Sequence, residues 1–582
     1  MLDLRIGNKS LQLPPGATME VEENNPYLQL NEEVKGENSW PMTIKATPVN
    51  TEALDYVTIP QKRINQAGKE GSCFDGNFQL SLGKIMIEKV RHDLNRPENG
   101  DISIYYLSGT SYFWQDLKGK NLRDIDMGGE QSFAWDNYNR AGAGFWGHIH
   151  KVVDAAPGTY PYCFYSALVD SWQWYDTFRG GALINPMLQV GGKPTFEQYK
   201  ITSFLTGYAP SAIVPQIFLR PVLEKAVALA GWKLEGDILS DPQFNLICLC
   251  TLRAINWVSG THTAKPQITF NLADHLPAIT VSKLLMALRN RFGWWYDVDR
   301  VNKIVRIREL KTVGVTNRKD MTRKASPVVT KTILEEQKIY GVHNSAGSSK
   351  LSLDGYEYKG ELNVKGLLPA PSQAVSGHVY LVKMENNYYV CEGGENNVFT
   401  WEILSANTGD AVPDGATEEI RGDSLVSPIK QQYGIYGEYF PFIEGAVYWP
   451  TANDDQQAND IQLCFYYGIR NDFNNRPWPF ASHHIYDAKA LQVGTWSLAL
   501  LAKDYAGNDI GLYHRNWKPF LDRLIAQEEC EVELSLTRQE FMEMKFSDEL
   551  IVDGMSYYVA KRKYVLPAKK GILRVVCECN RI

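Results

Sequence analysis

The feature that most constrains the fold is a unit that occurs twice, in which an amphipathic helix ends at a glycine and a strand begins directly afterwards. The second copy runs through Thr280–Gly293 into Trp294–Asp299 and then into the β-branched segment Lys303–Leu310. The first runs through Gln216–Ala230 into Gly231–Glu235. Because each helix has one apolar stripe that must be buried against another element, both units predict a scaffold and not a convergent polar pocket.

The helix of the second unit is predicted residue by residue. Thr280 has the hydroxyl of an N-cap, and Gly293 can adopt the left-handed conformation that closes a helix. The apolar residues at helical spacing are Val281, Leu284, Leu285, Leu288 and Phe292. The basic residues off this stripe, predicted to face solvent, are Lys283, Arg289 and Arg291. In the first unit the stripe residues are Leu219, Val222, Leu223, Ala226, Val227 and Ala230, and Pro221 is tolerated in the first turn.

Most other segments predict strands. Near the N-terminus these are Thr43–Ala46, Phe78–Leu82, Ile85–Val90, Ile102–Tyr106 and Ser111–Trp114, and Gly83–Lys84 is predicted to turn the second into the third as a hairpin. A later hairpin joins His378–Lys383 to Tyr388–Cys391. The C-terminal segments are a short helix Asn516–Leu524, a strand Glu531–Leu536, a capping box Thr537–Glu540, a hairpin turn at Asp553–Gly554 and a last strand Gly571–Cys579. Residues 128–215 are predicted as irregular β structure and long loops.

Composition restricts the class of protein. A chain of 582 residues predicts several domains. A net charge of -7 over this length gives no basic face for nucleic acid. No apolar run reaches membrane length and Met1–Arg5 does not begin a signal peptide, so we expect no membrane-spanning segment and assembly in a cytoplasm. Aromatic residues make up 12%, which fits protein interfaces and aromatic-rich β cores equally well.

Cysteine and histidine pairs are the first candidates for chemistry. Cys248 with Cys250, and Cys577 with Cys579, alternate in apolar strand-like runs, which predicts buried reduced thiols and not zinc ligands. His148 and His150 are predicted on one strand face and the pair His483–His484 in a polar loop. Neither pair has a third ligand nearby, so structural histidines are predicted.

Short motifs add little chemistry. Gly142–Gly147 fits Gly-x-Gly-x-x-Gly, but no apolar strand precedes it and no helical pattern follows, which predicts a loop. The acidic pairs Asp454–Asp455 and Glu335–Glu336 are typical of solvated loops, and Arg421–Asp423 is a loop tripeptide. Aromatic runs that suit a glycan are Trp172–Tyr175 and Trp294–Tyr296, although the second follows a helix directly and fits a core better. We therefore predict no catalytic, cofactor-binding or metal-binding residues, no cofactor and no enzymatic activity.

The order of several segments carries a family resemblance. These segments are Asn25–Pro26, Ser39–Ile44 with Asn50, a strand near Phe78, Phe270–Pro277 before a helix and hairpin, Trp517–Leu521 in a C-terminal helix, and the Asp553–Gly554 hairpin with its terminal strand. Together they resemble the tail hub proteins of bacteriophages, as in phages of Bacteroides-type bacteria. The resemblance covers about two thirds of the chain and rests on the order of the segments. It is weakest over residues 128–215 and 312–428.

The resemblance implies a fold, a role and partners. The fold is a mixed, β-rich α+β architecture with two tube-like β-barrel domains, helix–strand supporting domains and a small β insertion. The predicted domains are 1–215 (tube-like β), 216–311 (helix–strand), 312–428 (polar β insertion) and 429–582 (C-terminal hub β domain). The role is a structural virion protein: a homotrimeric hub ring that caps the tail tube, connects it to distal-tail, tail-tip or baseplate proteins, and lets phage DNA pass during ejection. Alternatives are a receptor- or glycan-binding tail-tip protein and, third, a tail-associated cell-wall hydrolase.

Overall fold

A computed structural model shows a β-rich chain with short helices, which confirms the predicted mixed β-rich class. The structure describes residues 1–25, 37–39, 41–59, 68–91, 93, 100–108, 110–137, 139–172, 182–196, 212–257, 265–299, 302–312, 317–332, 340–343, 357–362, 368–370, 375–376, 378–382, 387–393, 399–406, 418–421, 424–427, 429–431, 439–447, 461–472, 475–487, 489–525 and 528–581. Everything below concerns these residues.

The helices are short and the strands many. The α-helices are α1 (Pro48–Ala53), α2 (Thr110–Leu117), α3 (Phe145–Asp154), α4 (Leu219–Ala228), α5 (Val281–Phe292), α6 (Lys518–Ile525) and α7 (Arg538–Glu543). Single turns of 3₁₀-helix lie at Leu122–Asp124, Asp237–Ser240, Phe244–Leu246, Leu272–His275 and Leu310–Thr312, and a π-helical turn at Tyr513–Trp517.

The strands, in chain order, are β1 (Leu2–Ile6), β2 (Lys9–Ser10), β3 (Met19–Asn24), β4 (Glu37–Ser39), β5 (Met42–Lys45), β6 (Lys69–Asp75), β7 (Phe78–Arg91), β8 (Asp101–Ser108), β9 (Glu130–Ala134), β10 (Tyr162–Cys163), β11 (Ala167–Trp172), β12 (Ala182–Ile184), β13 (Met187–Val190), β14 (Lys193–Phe196), β15 (Gln216–Phe218), β16 (Lys233–Glu235), β17 (Ile247–Leu249), β18 (Gln267–Asn271), β19 (Trp294–Asp299), β20 (Ile304–Glu309), β21 (Arg318–Asp320), β22 (Ala325–Thr332), β23 (Tyr340–His343), β24 (Glu357–Leu362), β25 (His378–Val382), β26 (Asn387–Gly393), β27 (Phe399–Ala406), β28 (Glu418–Arg421), β29 (Ser424–Val426), β30 (Ile429–Gln431), β31 (Tyr439–Val447), β32 (Ile461–Asn471), β33 (Pro477–Ser482), β34 (Glu528–Thr537), β35 (Glu549–Val552), β36 (Met555–Leu566) and β37 (Ile572–Arg581).

The chain forms two compact units, each built from separate stretches of sequence. Unit 1 contains Met1–Lys118, Trp294–Ile339 and Lys518–Ile582. Unit 2 contains Gly119–Gly293 and Tyr340–Trp517. The four domains given by the sequence stay a prediction, and the two units are described separately below.

Unit 1 is organised by one 14-stranded sheet. Its order is β2–β1–β6–β7–β8–β4–β3–β36–β37–β34–β22, with β5 paired to β8, β35 to β36 and β21 to β35. The N-terminal and C-terminal halves meet where β3 pairs antiparallel with β36, which places Met19 opposite Leu566. Residues from both halves, such as Leu4 and Leu534, lie in one apolar core. The two halves therefore share one apolar core, to which alternate residues of strands such as β3 and β37 contribute.

Unit 2 contains several smaller sheets around central helices. The main one runs β10–β15–β17–β32–β29, with β33 paired to β32. The others are β12–β11–β31–β30, β24–β25–β26–β27 and the pairs β13–β14, β18–β9 and β23–β28. Helix α5 begins at Thr280, whose side chain accepts from Lys283 N, and ends at Gly293 with φ 60°. Its predicted apolar stripe is fully buried, as is that of α4 except for the half-buried Ala230. Both helix predictions are confirmed.

Two predictions about unit 1 are wrong. Phe78–Leu82 and Ile85–Val90 are not two strands of a hairpin, because β7 runs without a turn through Gly83 and Lys84. The turn lies earlier, between β6 and β7, where Gly76 has φ 63°. Ser111–Trp114 is part of helix α2 and not a strand. By contrast, the Asp553–Gly554 hairpin, the Thr537–Glu540 capping box and the last strand are confirmed.

Candidate functional site

The glycine motif of unit 2 lies between a strand and a helix, which corrects the prediction of an isolated loop. Strand β9 precedes it and helix α3 starts at Phe145, inside the motif, with Gly144 as N-cap. The first amide groups of α3 point at the side chain of Asp136. Its two carboxylate oxygens accept from Trp146 N and Gly147 N, each at 2.9 Å. The carboxylate of Asp136 therefore occupies the position at the positive end of helix α3 where an external anion would otherwise bind.

The glycines of this motif are required by close backbone packing. A Cβ on Gly147 would lie 1.9 Å from the carbonyl oxygen of Gly142, and one on Gly144 would lie 2.4 Å from the carbonyl oxygen of Ala134. Any side chain at these positions would push the helix away from β9 and from Asp136. The motif thus serves local packing in this unit.

His148 and His150 lie on helix α3 and not on a strand, so that prediction is wrong. His148 Nε2 is 2.6 Å from the Tyr162 hydroxyl, and its ring stacks on Phe133 at 4.3 Å. His150 is buried; its Nε2 accepts from Phe196 N at 3.1 Å, which leaves Nδ1 to donate to Trp146 O at 2.7 Å. Burial lowers the pKa of both imidazoles. Both rings therefore act in packing and hydrogen bonding within the unit.

Aromatic packing explains why residues 128–215 show weak periodicity. Trp135, Trp146 and Trp257 form a mutual cluster, with ring centroids 5.5 to 5.9 Å apart. The first and third stack at 7°, and the second meets each of them edge to face. Such pairs stabilise a core by about 1 kcal/mol beyond area burial. The high aromatic content fits either protein interfaces or an aromatic-rich core. This cluster belongs to a core, because Trp146 and Trp257 are buried.

The cysteines are buried thiols, as predicted. All nine lie in the described part of the chain, all are buried, and none forms a disulfide. In unit 2, Cys163 Sγ is 3.6 Å from Cys248 Sγ, and Cys250 Sγ is 3.3 Å from Ser427 Oγ. Burial raises the pKa of Cys163 and Cys248, and that of Cys250 to about 12, so these sulfurs are protonated and poor nucleophiles. In unit 1, Cys577 and Cys579 face the apolar core.

The described residues contain no group of three or more His, Cys, Asp or Glu side chains arranged to hold a metal ion. His275, in the Phe270–Pro277 segment, is another buried imidazole: its Nδ1 is 2.7 Å from Arg253 O, and burial lowers its pKa to about 3. Its segment forms β18 and a 3₁₀ turn capped by Asn271, whose side chain accepts from Ala273 N. These hydrogen bonds of Asn271 and His275 stabilise the turn that precedes helix α5.

The remaining candidate residues from the sequence are mainly buried or lie outside the described residues. Trp294–Tyr296 is buried, as the core interpretation predicted. The pair His483–His484 lies in irregular structure, as predicted, but it is fully buried and not in a polar surface loop, which is a correction. The pairs Asp454–Asp455 and Glu335–Glu336 fall outside the described residues, as do Gly422, Asp423 and most of Trp172–Tyr175.

Two arginines of helix α5 are buried, contrary to the prediction. Arg289 and Arg291 were predicted to face solvent, but each is 1% exposed, whereas Lys283 is exposed as predicted. Arg291 donates from Nη1 to Ser424 O at 2.7 Å and from Nη2 to Leu498 O at 2.9 Å. Helical spacing alone could not show this, because the acceptors come from segments more than a hundred residues away. The one local hint is that α5 contains no acidic residue.

Comparisons with known proteins give structural neighbours only. No protein-family model matches the chain, and no curated protein matches it. The solved structures it is similar to include the 43 kDa tail protein of prophage MuSo2 from Shewanella oneidensis, at 9% identity and TM-score 0.29, covering 100% of this chain and 98% of that one. Another is the tail protein from Neisseria meningitidis MC58, at 6% identity and TM-score 0.27, covering 100% and 96%. Both neighbours are described as tail proteins, and at these scores neither carries an argument about fold or function.

None of the helices in the described residues combines the length and apolar character needed to span a membrane.

Proposed function

We propose that this chain is a non-enzymatic structural protein of a bacteriophage tail, located in the virion after assembly in the host cytoplasm. The observation that carries this proposal is where the reactive side chains point. The thiols of unit 2, the helix-bound Asp136 and the buried histidines are all turned inward and used for packing or hydrogen bonding. A scaffold needs such interiors, whereas an active site needs polar groups that converge on a reachable cavity.

Within the tail, we propose the role of a hub ring. The order of segments that resembles tail hubs supports it, and so does unit 1, where the strands of one 14-stranded sheet share an apolar core. We take unit 1 as one candidate for the tube-like β-barrel domains of such a hub. In this role the ring caps the tail tube, joins it to distal-tail and tail-tip or baseplate proteins, and lets DNA pass.

The hub role predicts a homotrimer. Native mass spectrometry of the purified chain should give an assembly of three copies of the 65.9 kDa protein. Multi-angle scattering should give the same mass at micromolar concentration, and labelling of intact particles should place the chain at the tail end. A stable monomer, or six copies per tail, would contradict the hub. Glycan binding and cell-wall hydrolysis stay alternatives that sugar-array binding and a peptidoglycan-release assay test directly.

We further propose that the insertion predicted at residues 312–428 has a narrower detachable part. Strands β24–β27 form a four-stranded sheet of their own. By contrast, β28 pairs with β23 and lies against helix α5, and its Ile420 is fully buried. The detachable module is therefore the sheet of residues 357–406, and its proposed role is to touch a neighbouring tail protein or a host glycan.

Replacing residues 351–410 with a Gly/Ser linker should leave the trimer intact, because strand β28 remains against α5 and keeps its partner strand β23. Assembly is measured by native mass spectrometry. The matched control extends the replacement through Arg421, removes β28 and should abolish soluble protein. If the shorter replacement also prevents assembly, the β24–β27 sheet belongs to the framework.

A further inference from the structure

A buried pair of imidazoles lies in unit 2 immediately after strand β33. His483 and His484 are both 0% exposed, with ring centroids 6.0 Å apart. Neither forms an ion pair with a carboxylate among the described residues. The ring nitrogens of His484 have no hydrogen-bond partner there, and its ring stacks at 5.3 Å on Tyr486, which stacks in turn on Tyr505. The pair is therefore accommodated only in its neutral form.

The surroundings of the pair oppose a positive charge. Burial, together with the positive charge of Arg291 on α5, lowers the pKa of His483 to about 4, although a hydrogen bond to the backbone of Ser427 partly offsets both. Burial and the neighbouring His483 lower the pKa of His484 well below its usual value. The other titratable groups around the pair are Cys250 beside Ser427, Tyr467 of β32, whose hydroxyl donates to His484 O, and Tyr486, Tyr505 and Asp504 of the following segment.

The pair begins a long irregular segment, residues 483–517, which we call the strap. The strap has a small apolar cluster of its own, formed by Ile485 and Tyr486 with Ala490, Tyr505 and Ile510. Apart from the π-helical turn at its end, it contains no helix or strand within the described residues. Backbone hydrogen bonds of the strap join its residues to one another, as in Ser497 N to Ile510 O and Leu498 N to His483 O. A segment that is bonded within itself and has its own cluster can open as one unit while the sheets stay folded.

Polar contacts join the strap to helix α5 and to the 3₁₀ turns of unit 2. Arg291 donates to Leu498 O, and the hydroxyl of Ser497 donates to His483 O at 3.0 Å. The last residues of the strap cap the end of the helix: Asn516 Nδ2 donates to Phe292 O at 2.8 Å, and Trp517 Nε1 donates to Asn290 O at 3.1 Å. The Gln243 side chain bonds both Trp496 O and the amide of Thr495.

From this arrangement we propose that His483 and His484 form an acid-operated latch, in which protonation of the pair beside Arg291 releases the strap from helix α5 while the sheets of unit 2 stay folded. The proton comes from solvent and goes to an imidazole nitrogen. It adds a positive charge where one guanidinium is already enclosed and where no carboxylate of the described residues pairs with the rings. Release brings the imidazoles into water, where the charged form is stable. The latch goes beyond the proposed tail role and does not depend on it.

The direction of the pH dependence follows from the lowered pKa values. A histidine whose folded pKa is below its unfolded value contributes full stability above pH 6.5, and this stability is lost as pH falls toward about 4. For His483 alone, linkage makes opening of the strap about thirtyfold more favourable at pH 5 than at pH 7.5. Protonation of His484 adds to this in the same direction.

Hydrogen–deuterium exchange on the intact protein tests the latch. Rates are corrected for the intrinsic pH dependence of amide exchange and compared at pH 7.5 and 5. Peptides from the strap should lose protection about thirtyfold, whereas peptides from β17 and β32 of the same unit should keep theirs. Loss of protection in the strap and in β32 together would show ordinary acid unfolding and overturn the proposal. An unchanged strap at pH 5 would overturn it equally.

Substitutions separate the latch from other acid effects. In the double variant His483→Gln/His484→Gln, strap exchange should no longer respond to acid. His514→Gln is the matched control, because His514 lies in the same strap but is part exposed beside Asp509, and its acid response should equal that of the wild type. If the double variant does not fold, the single variant His484→Gln is used, and its response should be smaller than in the wild type. A full response in either latch variant would overturn the proposal.

Discussion

The substitution Leu285→Asp should abolish soluble, folded protein. Leu285 is fully buried in the apolar stripe of helix α5. A carboxylate there loses its hydration with no designed partner, which costs several kcal/mol or forces the group to stay protonated. Because the whole stability of a domain is about 5–15 kcal/mol, a loss of this size in addition to the lost leucine packing removes most of it. Soluble yield and the thermal unfolding midpoint are the measurements.

The matched control is Lys283→Asp on the same helix. Lys283 is exposed and lies one turn after the N-cap, where a negative charge interacts favourably with the helix dipole. It should therefore express normally and melt within a few degrees of the wild type. If Leu285→Asp were soluble with an unchanged melting temperature, the burial of this helix and its role as scaffold would both be wrong.

Helix α5 also shows which structural features can be predicted from the local sequence and which cannot. Its N-cap, C-cap and apolar stripe are properties of the neighbouring residues Thr280–Gly293, and each was predictable. The burial of Arg291 was not, because its acceptors are Ser424 O and Leu498 O. An arginine off the stripe is usually solvated, and only the tertiary structure shows that distant segments cover the face of the helix that carries Arg289 and Arg291.

The same limit applies to the candidate site. His148 and His150 are two residues apart, which is also the spacing of residues on one face of a strand. Strand β9 is short and partly exposed, so its sequence lacks the apolar pattern that would predict a strand before the glycine motif. The signal that could have identified helix α3 is Asp136, nine residues before Phe145, as an acceptor for the helix amides. That contact is made through a loop, and no fixed spacing predicts it. The surroundings of His483 are likewise set by distant residues, Arg291 of α5 and Ser427 just after β29.

The topology of unit 1 lies further beyond sequence patterns. Strands such as β3 and β37 alternate regularly, yet the pairing between the two halves joins β3 to β36, more than five hundred residues apart. Local patterns give strands and tight turns such as Asp553–Gly554, because those depend on a few adjacent residues. They do not give strand order, which depends on which edges meet after the chain has passed through unit 2.

A pair of glycine substitutions in unit 1 distinguishes the two possible hairpins and should give the other large effect. Gly83 lies inside strand β7, where a Cβ would be 2.1 Å from the carbonyl oxygen of Leu107. Gly83→Asn should therefore separate β7 from β8 and lower the free energy of unfolding by about 3 kcal/mol. Gly76 is at the actual turn, with φ 63° and no atom within 4 Å of its Cβ position. Since asparagine tolerates that conformation, Gly76→Asn should lower the free energy of unfolding by less than about 1 kcal/mol.

Chemical denaturation of both variants measures the difference between the two free energies of unfolding. A turn at Gly83–Lys84 would give the reverse order, because asparagine is readily accepted in a two-residue hairpin turn, and that order would show β7 to be two strands.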